Sequence, residues 1–335
     1  MQKLITPITY VQKLSLLDTE IAIKLAKDTF EKELAEALNL TRVSAPLFIL
    51  PETGLNDDLN GVERPVAFDI KDMAVDAQVV QSLAKWKRLA LKNYGFSPNT
   101  GLYTDMNAIR RDEEVGNLHS VYVDQWDWEM IINKEERNIN TLQNVVKKIW
   151  QSYKNTKTVL NDKFDTLNIE LAEDIFFITS QQLEDLYPNQ TPKEREDLIA
   201  KEKGAVFIMQ IGGPLNSGEP HDLRAPDYDD WSLNGDIIIW YPVLDRAVEL
   251  SSMGIRVDQE SLTEQLESLN LEQRKSKPFH KMLLNGELPL TLGGGIGQSR
   301  ICMTLLEKAH VGEVQASVWP QEMIETCREF SIELL

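Results

Sequence analysis

A run of glycines that ends in an arginine, residues 293–300 (GGGIGQSR), is the part of this sequence best suited to chemistry. Residues 288–292 before it are typical of a short strand, and residues 301–308 after it have the apolar spacing of a helix. Glycines at a strand-to-helix turn let a ligand approach the backbone, and the first helical turn offers free N–H groups to an anion. The helix dipole does not favour a cation there, so we expect Arg300 to bind an anionic ligand such as nucleotide phosphate.

The run matches neither of two well-known phosphate-binding loops. A P-loop requires Lys and then Ser or Thr after its last glycine, whereas Gln298 and Ser299 follow here. A dinucleotide-binding fingerprint usually opens a βαβ unit, with an acidic residue about twenty positions later, and this run lies near the C-terminal end. Taken alone, the run is equally consistent with a different interpretation, a turn needed only for packing that carries an exposed arginine.

Polar residues also occur within a predicted strand at residues 119–128. Side chains alternate along a strand, so Val121, Val123, Gln125 and Asp127 share one face, which changes from apolar to polar. This change is expected where a strand leaves the core and enters a cleft. Gln125 and Asp127 then need partners, because burying an unpaired amide or carboxylate costs about 1–3 kcal/mol or more. A solvated strand end is the alternative.

Arg110 ends another predicted strand, residues 102–109, shortly before the polar strand begins. An antiparallel hairpin would bring Arg110 close to the region after His119. The alternative is a charged hairpin tip, which is common and needs no ligand.

Carboxylates recur in two further predicted strands. Glu249 is expected to share a strand face with Ser251, and Asp236 to begin the neighbouring strand. Two acids at the ends of adjacent strands can hold Mg²⁺ against phosphate oxygens, or they can be unrelated residues at the rim. The loop at residues 221–231, which contains Asp229, is dense in acids that can hold an amino group or face solvent.

Helices and strands must position these residues, and their order predicts an α+β fold. Helices are predicted at residues 20–38, capped by Asp18 or Thr19, at 142–153 and at 191–203. Strands are predicted at residues 65–70, 102–109, 119–128, 175–179, 205–211, 236–243, 247–253 and 288–292, and residues 41–50 are extended around Pro46. Many strands are separated only by turns, which favours an antiparallel sheet over regular βαβ alternation.

The composition is that of an ordinary globular protein: 335 residues, 42% hydrophobic and 26% charged. We find no linker, repeat or membrane-length apolar segment and predict one domain over residues 1–335. A net charge of −18 disfavours a nucleic-acid partner but does not exclude a local basic pocket for one nucleotide. The N-terminus has no secretory pattern, and the two cysteines have no metal-type spacing, so a cytoplasmic location is expected.

Longer strings within the chain resemble the ammonia-dependent aspartate–ammonia ligase family, also called asparagine synthetase A. The resemblance covers nearly the whole chain and rests on residues 82–88 (SLAKWKR), 101–104 (GLYT), 119–129 (HSVYVDQWDWE), 224–236 (RAPDYDDWSLNGD), 249–258 (ELSSMGIRVD) and 293–300. This family is similar in fold to the catalytic domain of class II aminoacyl-tRNA synthetases. The resemblance therefore implies an antiparallel sheet core flanked by helices, without a separate anticodon-binding domain.

The three class II signatures can be placed by this resemblance. The helix up to Leu38 and the strand to Pro46 look like motif 1, which builds the dimer interface in the family, so a homodimer is implied. Residues 110–112 and the following strand look like motif 2, and the run that ends at Arg300 looks like motif 3.

The resemblance also implies the reaction. ATP would activate L-aspartate as β-aspartyl-AMP with release of pyrophosphate, and ammonia would then displace AMP to give asparagine. Adenylyl transfer needs positive charge aimed at oxygens on which negative charge develops. The implied catalytic residues are Asp57, Arg110, Gln125 and Arg300, with Asp57 holding or deprotonating the incoming ammonium.

Further residues are assigned to ligands by the same resemblance and by charge matching. Those implied for aspartate are Ser82, Lys87, Gln125, Asp127, Arg224 and Asp229; those for ATP are Arg110, Glu249, Ser252, Gly295 and Arg300; and those for Mg²⁺ are Asp236 and Glu249. Three other functions compete: a tRNA-charging synthetase, a paralogue that only senses an amino acid or nucleotide, and an ATP-grasp-type ligase that releases ADP.

Overall fold

The computed structural model describes residues 4–56 and 63–335. Its main sheet has eight strands in the order β1-β5-β6-β11-β10-β9-β8-β7, and a small sheet has the order β2-β4-β3. The strands are β1 (Leu40–Arg42), β2 (Phe48–Ile49), β3 (Ala67–Ile70), β4 (Val75–Val79), β5 (Gly101–Ile109), β6 (Tyr122–Ile131), β7 (Phe176–Thr179), β8 (Ala205–Met209), β9 (Asp229–Tyr241), β10 (Arg246–Arg256) and β11 (Thr291–Gly297).

Helices flank the main sheet on both faces. They are α1 (Leu16–Leu38), α2 (Ala84–Asn93), α3 (Ile139–Lys163), α4 (Ser180–Leu186), α5 (Pro192–Lys203), α6 (Gln259–Ser268), α7 (Pro278–Leu284), α8 (Gln298–Leu305) and α9 (Gln321–Glu329). Short 3₁₀ turns occur at Pro51–Thr53, Lys134–Glu136, Glu272–Ser276 and Val311–Glu313.

The middle of the main sheet is antiparallel. Every neighbouring pair from β5 to β8 across the sheet runs antiparallel, and only the outermost pairs, β1 with β5 and β7 with β8, are parallel. The prediction of an α+β fold around an antiparallel sheet is therefore confirmed. The same arrangement lets consecutive strands be joined by hairpins, as β5 and β6 are and as β9 and β10 are.

The two faces of the sheet are covered differently. On one face α1, α3 and α8 pack together over the large apolar core, where Phe30 stacks on Trp126 with ring centroids 4.8 Å apart. On the other face α2 packs on β5, β6 and β11, whereas α5 packs on β8, β9 and β10. The central strands between these two helices remain available to form the floor of a cavity.

The glycine run forms a strand, and the prediction of a turn at this position is wrong. Strand β11 begins at Thr291 and continues to Gly297, pairing with β6 on one side and with β10 on the other. Glycine has a low strand propensity, but two flanking ladders satisfy the backbone and outweigh that preference. Helix α8 follows at once, and Arg300 lies in its first turn as expected.

The predicted hairpin between Arg110 and the polar strand is confirmed. The Arg110 N–H donates to the Val121 carbonyl at 2.8 Å, and strand β6 begins at Tyr122 rather than at His119. Asp236 does not begin its strand as predicted, because β9 already starts at Asp229.

Helix α1 starts earlier than predicted. Ser15, rather than Asp18 or Thr19, is the N-cap, and its hydroxyl accepts from the Asp18 N–H at 3.1 Å.

In the described ranges, no helix has the length and apolarity that crossing a membrane requires.

Candidate active site

A cavity of about 610 Å³ lies over the central strands, between α2 and the loop that precedes β9. Its walls come from β6, β10 and β11, from the hairpin after Arg110 and from residues 222–229. Most of the predicted site residues line it: Ser82, Lys87, Arg110, Gln125, Asp127, Arg224, Asp229, Glu249, Ser252, Gly295 and Arg300. Residues far apart in sequence thus meet in one cavity.

Among the predicted residues that the structure describes, one does not line the cavity. Asp236 lies behind the wall, where it is 5% exposed and contacts Arg224. Asp57 lies outside the described residues. Its neighbour Asn56 accepts a hydrogen bond from the Gln81 N–H at 2.9 Å, and Gln81 itself lines the cavity.

Arg300 is held in place at one end of the cavity. Its guanidinium donates to the Glu249 carbonyl at 2.9 Å and to His119 Nε2 at 3.0 Å. Burial and the adjacent guanidinium lower the pKa of His119 to about 3, so the imidazole stays neutral and accepts the hydrogen bond from Arg300. Arg110 lines the same cavity from the hairpin. This end can therefore offer two guanidinium groups to an anion.

A buried ion pair forms part of the floor. Lys87 of α2 donates from Nζ to Asp127 Oδ1 and to the Gly294 carbonyl, the latter at 2.9 Å. Burial lowers the pKa of Lys87, although Asp127 opposes this effect. Asp127 Oδ2 has no hydrogen-bond partner within the described part of the chain. A ligand that carries an ammonium group can satisfy such an oxygen, which would otherwise cost free energy.

Sequence reasoning missed Arg256 as an individual site residue. Its guanidinium donates to Glu129 Oε2 at 2.8 Å and also to Asp229, and Arg256 lines the cavity. Burial alone would raise the pKa of Glu129, but Arg256 and Lys87 outweigh it and lower that pKa. The available signal was the charge itself: Glu129 and Arg256 each lie in a strand of the sheet, where a buried charge needs a partner.

Arg224 and Asp236 form a further ion pair, next to Glu249. Burial raises the pKa of Asp236 to about 7. The negative charge of Glu249 also raises this pKa, whereas the positive charge of Arg224 lowers it. Burial would also raise the pKa of Glu249, but Arg300 and Arg224 outweigh it and lower that pKa. Two carboxylates in mutual repulsion are a setting in which a divalent cation is favourable.

The donor set near Glu249 fits a magnesium ion shared with a phosphate ligand. The described ranges contain no group of three or more His, Cys, Asp or Glu residues that could hold a metal ion without help. Mg²⁺ usually takes only one or two carboxylates and completes its shell with phosphate oxygens and water. Glu249 lines the cavity and can supply one such carboxylate, whereas Asp236 must first release Arg224.

An irregularity in β10 decides which residues face the cavity. Glu249 pairs with Ile238 and Ser251 with Ile237, so the strand carries one extra residue between them. Such a bulge reverses the alternation of side chains. Glu249 and Ser252 line the cavity, whereas Ser251 Oγ donates to the Gly295 carbonyl at 3.0 Å. The prediction that Glu249 and Ser251 share a face is therefore wrong.

The chain matches a known protein family over most of its length. A family model described as aspartate-ammonia ligase matches residues 17–331. Proteins named aspartate–ammonia ligase from Ruminiclostridium cellulolyticum and Clostridium perfringens strain 13 are 63% and 62% identical, each with both chains fully covered. One of the same name from Lactobacillus johnsonii is 60% identical, with 99% of each chain covered.

Solved structures support the fold independently. An asparaginyl-tRNA synthetase from Pyrococcus horikoshii, complexed with asparaginyl-adenylate, aligns with a TM-score of 0.64 at 14% identity, covering 90% of this chain and 70% of that one. An Entamoeba histolytica asparaginyl-tRNA synthetase in complex with asparaginyl-adenylate gives 0.63 at 13% identity, covering 90% and 66%. The fold is that of class II synthetases, and the chain belongs to the aspartate–ammonia ligase family of C–N bond-forming ligases.

Proposed function

We propose that this protein makes L-asparagine from L-aspartate, ammonia and ATP through β-aspartyl-AMP, releasing pyrophosphate and then AMP. The observation that carries the proposal is one cavity with guanidinium groups at one end and buried ion pairs on its floor. The first region suits the phosphates of ATP, and the second suits an amino acid that carries both signs of charge. The family to which the chain belongs supports aspartate as that amino acid.

The arginines are proposed to stabilise adenylyl transfer. Arg110 would bind the α-phosphate and the attacking carboxylate, with Gln125 as a neutral donor nearby. Arg300 would bind the remaining phosphates and lie against the adenine. Preorganised cations aimed at developing charge typically contribute 10²–10³-fold or more to the rate. The contacts of Arg300 with Glu249 and His119 favour such preorganisation, because they fix the guanidinium before any ligand binds.

The ion pairs of the floor are proposed to bind aspartate. Asp127 and Asp229 would accept from its ammonium group, while Lys87 and Arg224 would bind carboxylate oxygens, with Ser82 adding a neutral hydrogen bond. Lys87, Arg224 and Asp229 already have protein partners of opposite charge. Aspartate would therefore join or replace existing pairs, so that no bare charge is left buried before it binds.

The remaining proposed roles concern magnesium, the nucleotide and the incoming ammonium. Glu249 and Asp236 would hold magnesium, which supplies positive charge against the phosphates of ATP. Ser252 and Gly295 would lie against the nucleotide. Asp57 would hold or deprotonate the incoming ammonium; it remains a sequence prediction, because it lies outside the described residues.

Product identification tests the proposal. The protein is incubated with ATP, Mg²⁺, aspartate and ammonium, and the products are separated. We expect asparagine, AMP and pyrophosphate in equal amounts, without any added tRNA. Production of ADP and phosphate, or turnover only with tRNA, would contradict the proposal. As a control, Arg300→Ala should lower turnover by at least about 100-fold while leaving the thermal unfolding temperature close to that of the wild type.

A further inference from the structure

Helix α8, which carries Arg300, begins without a cap of its own. The residue before it is Gly297, which has no side chain to cap the helix, and its first turn contains no acidic residue. The first N–H groups of any helix need acceptors from elsewhere. Arg300 also adds a positive charge at the positive end of the helix dipole, which is unfavourable. The start of α8 therefore requires an anionic partner from another element.

Asp124 of strand β6 is that partner. Its Oδ1 accepts from the Ser299 N–H at 3.1 Å, and its Oδ2 accepts from the Ser299 hydroxyl at 2.8 Å. Gln315 Nε2 donates to Oδ1 at 3.2 Å, and Lys27 Nζ of α1 donates to Oδ2 at 3.1 Å. The carboxylate is 6% exposed and both of its oxygens are satisfied. It thus caps α8 across the fold, as a local N-cap residue would do from within the chain.

This cap controls the position of Arg300 through covalent geometry. Ser299 directly precedes Arg300, so fixing both the N–H and the hydroxyl of Ser299 fixes where the Arg300 side chain leaves the helix. Asp124 also directly precedes Gln125 in the strand that carries Asp127. One carboxylate therefore links the start of α8, which carries Arg300, to the strand that carries Gln125 and Asp127.

We propose that Asp124 is a positioning residue for Arg300, acting by capping α8 from strand β6. This inference rests on the proposed function in one respect, namely that Arg300 binds ATP. Asp124 and Ser299 line the cavity, but both carboxylate oxygens of Asp124 are occupied by protein donors, so Asp124 acts on ATP binding through Arg300. A misplacement of about 1 Å in a group that positions a substrate can cost about 100-fold in rate.

Asp124→Asn is the direct test, because it preserves shape, removes the negative charge and leaves one acceptor oxygen for the four donors on Ser299, Gln315 and Lys27. We expect the KM for ATP to rise at least about tenfold, while the KM for aspartate stays within about twofold. At a fixed concentration, ATP with Mg²⁺ should raise the unfolding temperature of this variant less than that of the wild type, whereas aspartate should raise both equally.

Asp258→Ala is the matched control. Asp258 caps α6 by accepting from the Ser261 N–H at 2.9 Å and pairs with Arg137, and it does not line the cavity. Its loss should lower the unfolding temperature and leave the KM for ATP unchanged. If Asp124→Asn behaves like Asp258→Ala, or if both KM values rise equally, Asp124 has only a structural role and the inference is overturned.

Ser299→Ala provides a second variant if Asp124→Asn fails to fold, since it removes only the hydroxyl donor. It should raise the KM for ATP by a smaller factor in the same direction, and an unchanged value would overturn the inference. A different outcome would contradict the proposed function, namely that the wild-type protein forms no asparagine from aspartate, ammonium and ATP. The thermal shift with ATP distinguishes the two, because it needs no turnover.

Discussion

At the scale of single residues, the cavity is built from charges that already have partners. Lys87 contacts Asp127, Arg256 contacts both Glu129 and Asp229, and these side chains are almost fully buried. Removing one member of such a pair typically costs about 3–5 kcal/mol, because the other charge is left uncompensated. The pairs therefore hold the floor in place before any ligand arrives.

His119 makes a prediction about pH at this scale. Its pKa of about 3 in the folded protein lies below the unfolded value of 6.5, so the unfolded chain binds more protons between these two values. The contribution of His119 to stability is present above about pH 6.5 and is lost as the pH falls toward 3. His119→Gln keeps an acceptor for Arg300 but does not titrate.

We expect the free energy of unfolding of the wild type to fall by about 1 kcal/mol more than that of His119→Gln between pH 7 and pH 5.5. Equilibrium denaturant unfolding at several pH values measures the difference, and titrations common to both proteins cancel. Parallel pH profiles for the two proteins would mean that His119 titrates normally in the folded state.

At the scale of elements, the glycine strand β11 has two close neighbours. A Cβ added at Gly294 would lie 2.5 Å from the Met253 Cβ and 2.6 Å from the Ser252 carbonyl oxygen. Backbone atoms of β10 cannot move away cheaply, because they are paired on both sides. Glycine at this position is required by close approach between strands.

Gly294→Ala should therefore destabilise the protein by about 2 kcal/mol or more, as over-packing does in dense cores. Gly213→Ala is the control, because the nearest atom to its added Cβ would be Trp231 Cε3 at 3.9 Å. Thermal unfolding of both variants measures the effect. Equal unfolding temperatures would show that β10 and β11 can separate without cost.

The sequence predicted most of the strands but not the irregular pairing within β10. Local alternation was enough to indicate the strand that carries Gln125 and Asp127, and the hairpin after Arg110 followed from it. The extra residue at Leu250 depends on pairing with β9, so alternation within β10 alone could not reveal it.

Helix α2 was not predicted from the sequence, because its basic residues do not follow the usual pattern of exposed charge. Its Lys85, Lys87 and Arg88 are buried, whereas lysine and arginine are ordinarily exposed. Lys87 contacts the floor of the cavity, but Arg88 donates to the carbonyls of Pro289 and Val257 at 2.8 and 2.7 Å. Lys85 likewise pairs with Asp227 at 3.4 Å. A basic string in the sequence thus divides into one site residue and two that hold segments together.

At the scale of the whole molecule, an acidic protein encloses a cavity rich in arginines. The net charge is −18, yet Arg110, Arg224, Arg256 and Arg300 all line the same space. The bulk field disfavours large polyanions, whereas the local field favours a small anionic ligand. The prediction of one catalytic domain over residues 1–335 remains untested.

The first helix exposes apolar side chains, and we propose that they form the interface of a homodimer. Leu17 is 71% exposed and Ile21 is 46% exposed, and Val11 just before the helix is also exposed. Contiguous apolar residues at a surface are typical of association sites. This location agrees with the part of the chain that resembles motif 1.

Sedimentation of the wild type should give about twice the chain mass of 38.2 kDa. Leu17→Asp with Ile21→Asp should give a monomer, since burying two carboxylates in an apolar interface is costly. Leu186→Asp, at an exposed position on α4, should remain dimeric. A wild type that sediments as a monomer at all concentrations would contradict the proposal.

Strand β11 has a further consequence for anyone who wishes to reshape this protein. Part of the cavity wall is bare backbone, lined by Gly294, Gly295 and Gly297, so it offers no side chain that substitution could shorten. A larger amino acid cannot be admitted there. Libraries that seek new substrates should instead vary Asp222 and Leu223, which line the cavity on a stretch that is not paired in the sheet and where Leu223 is exposed. The glycine wall thus divides the cavity into a fixed side and a side open to engineering.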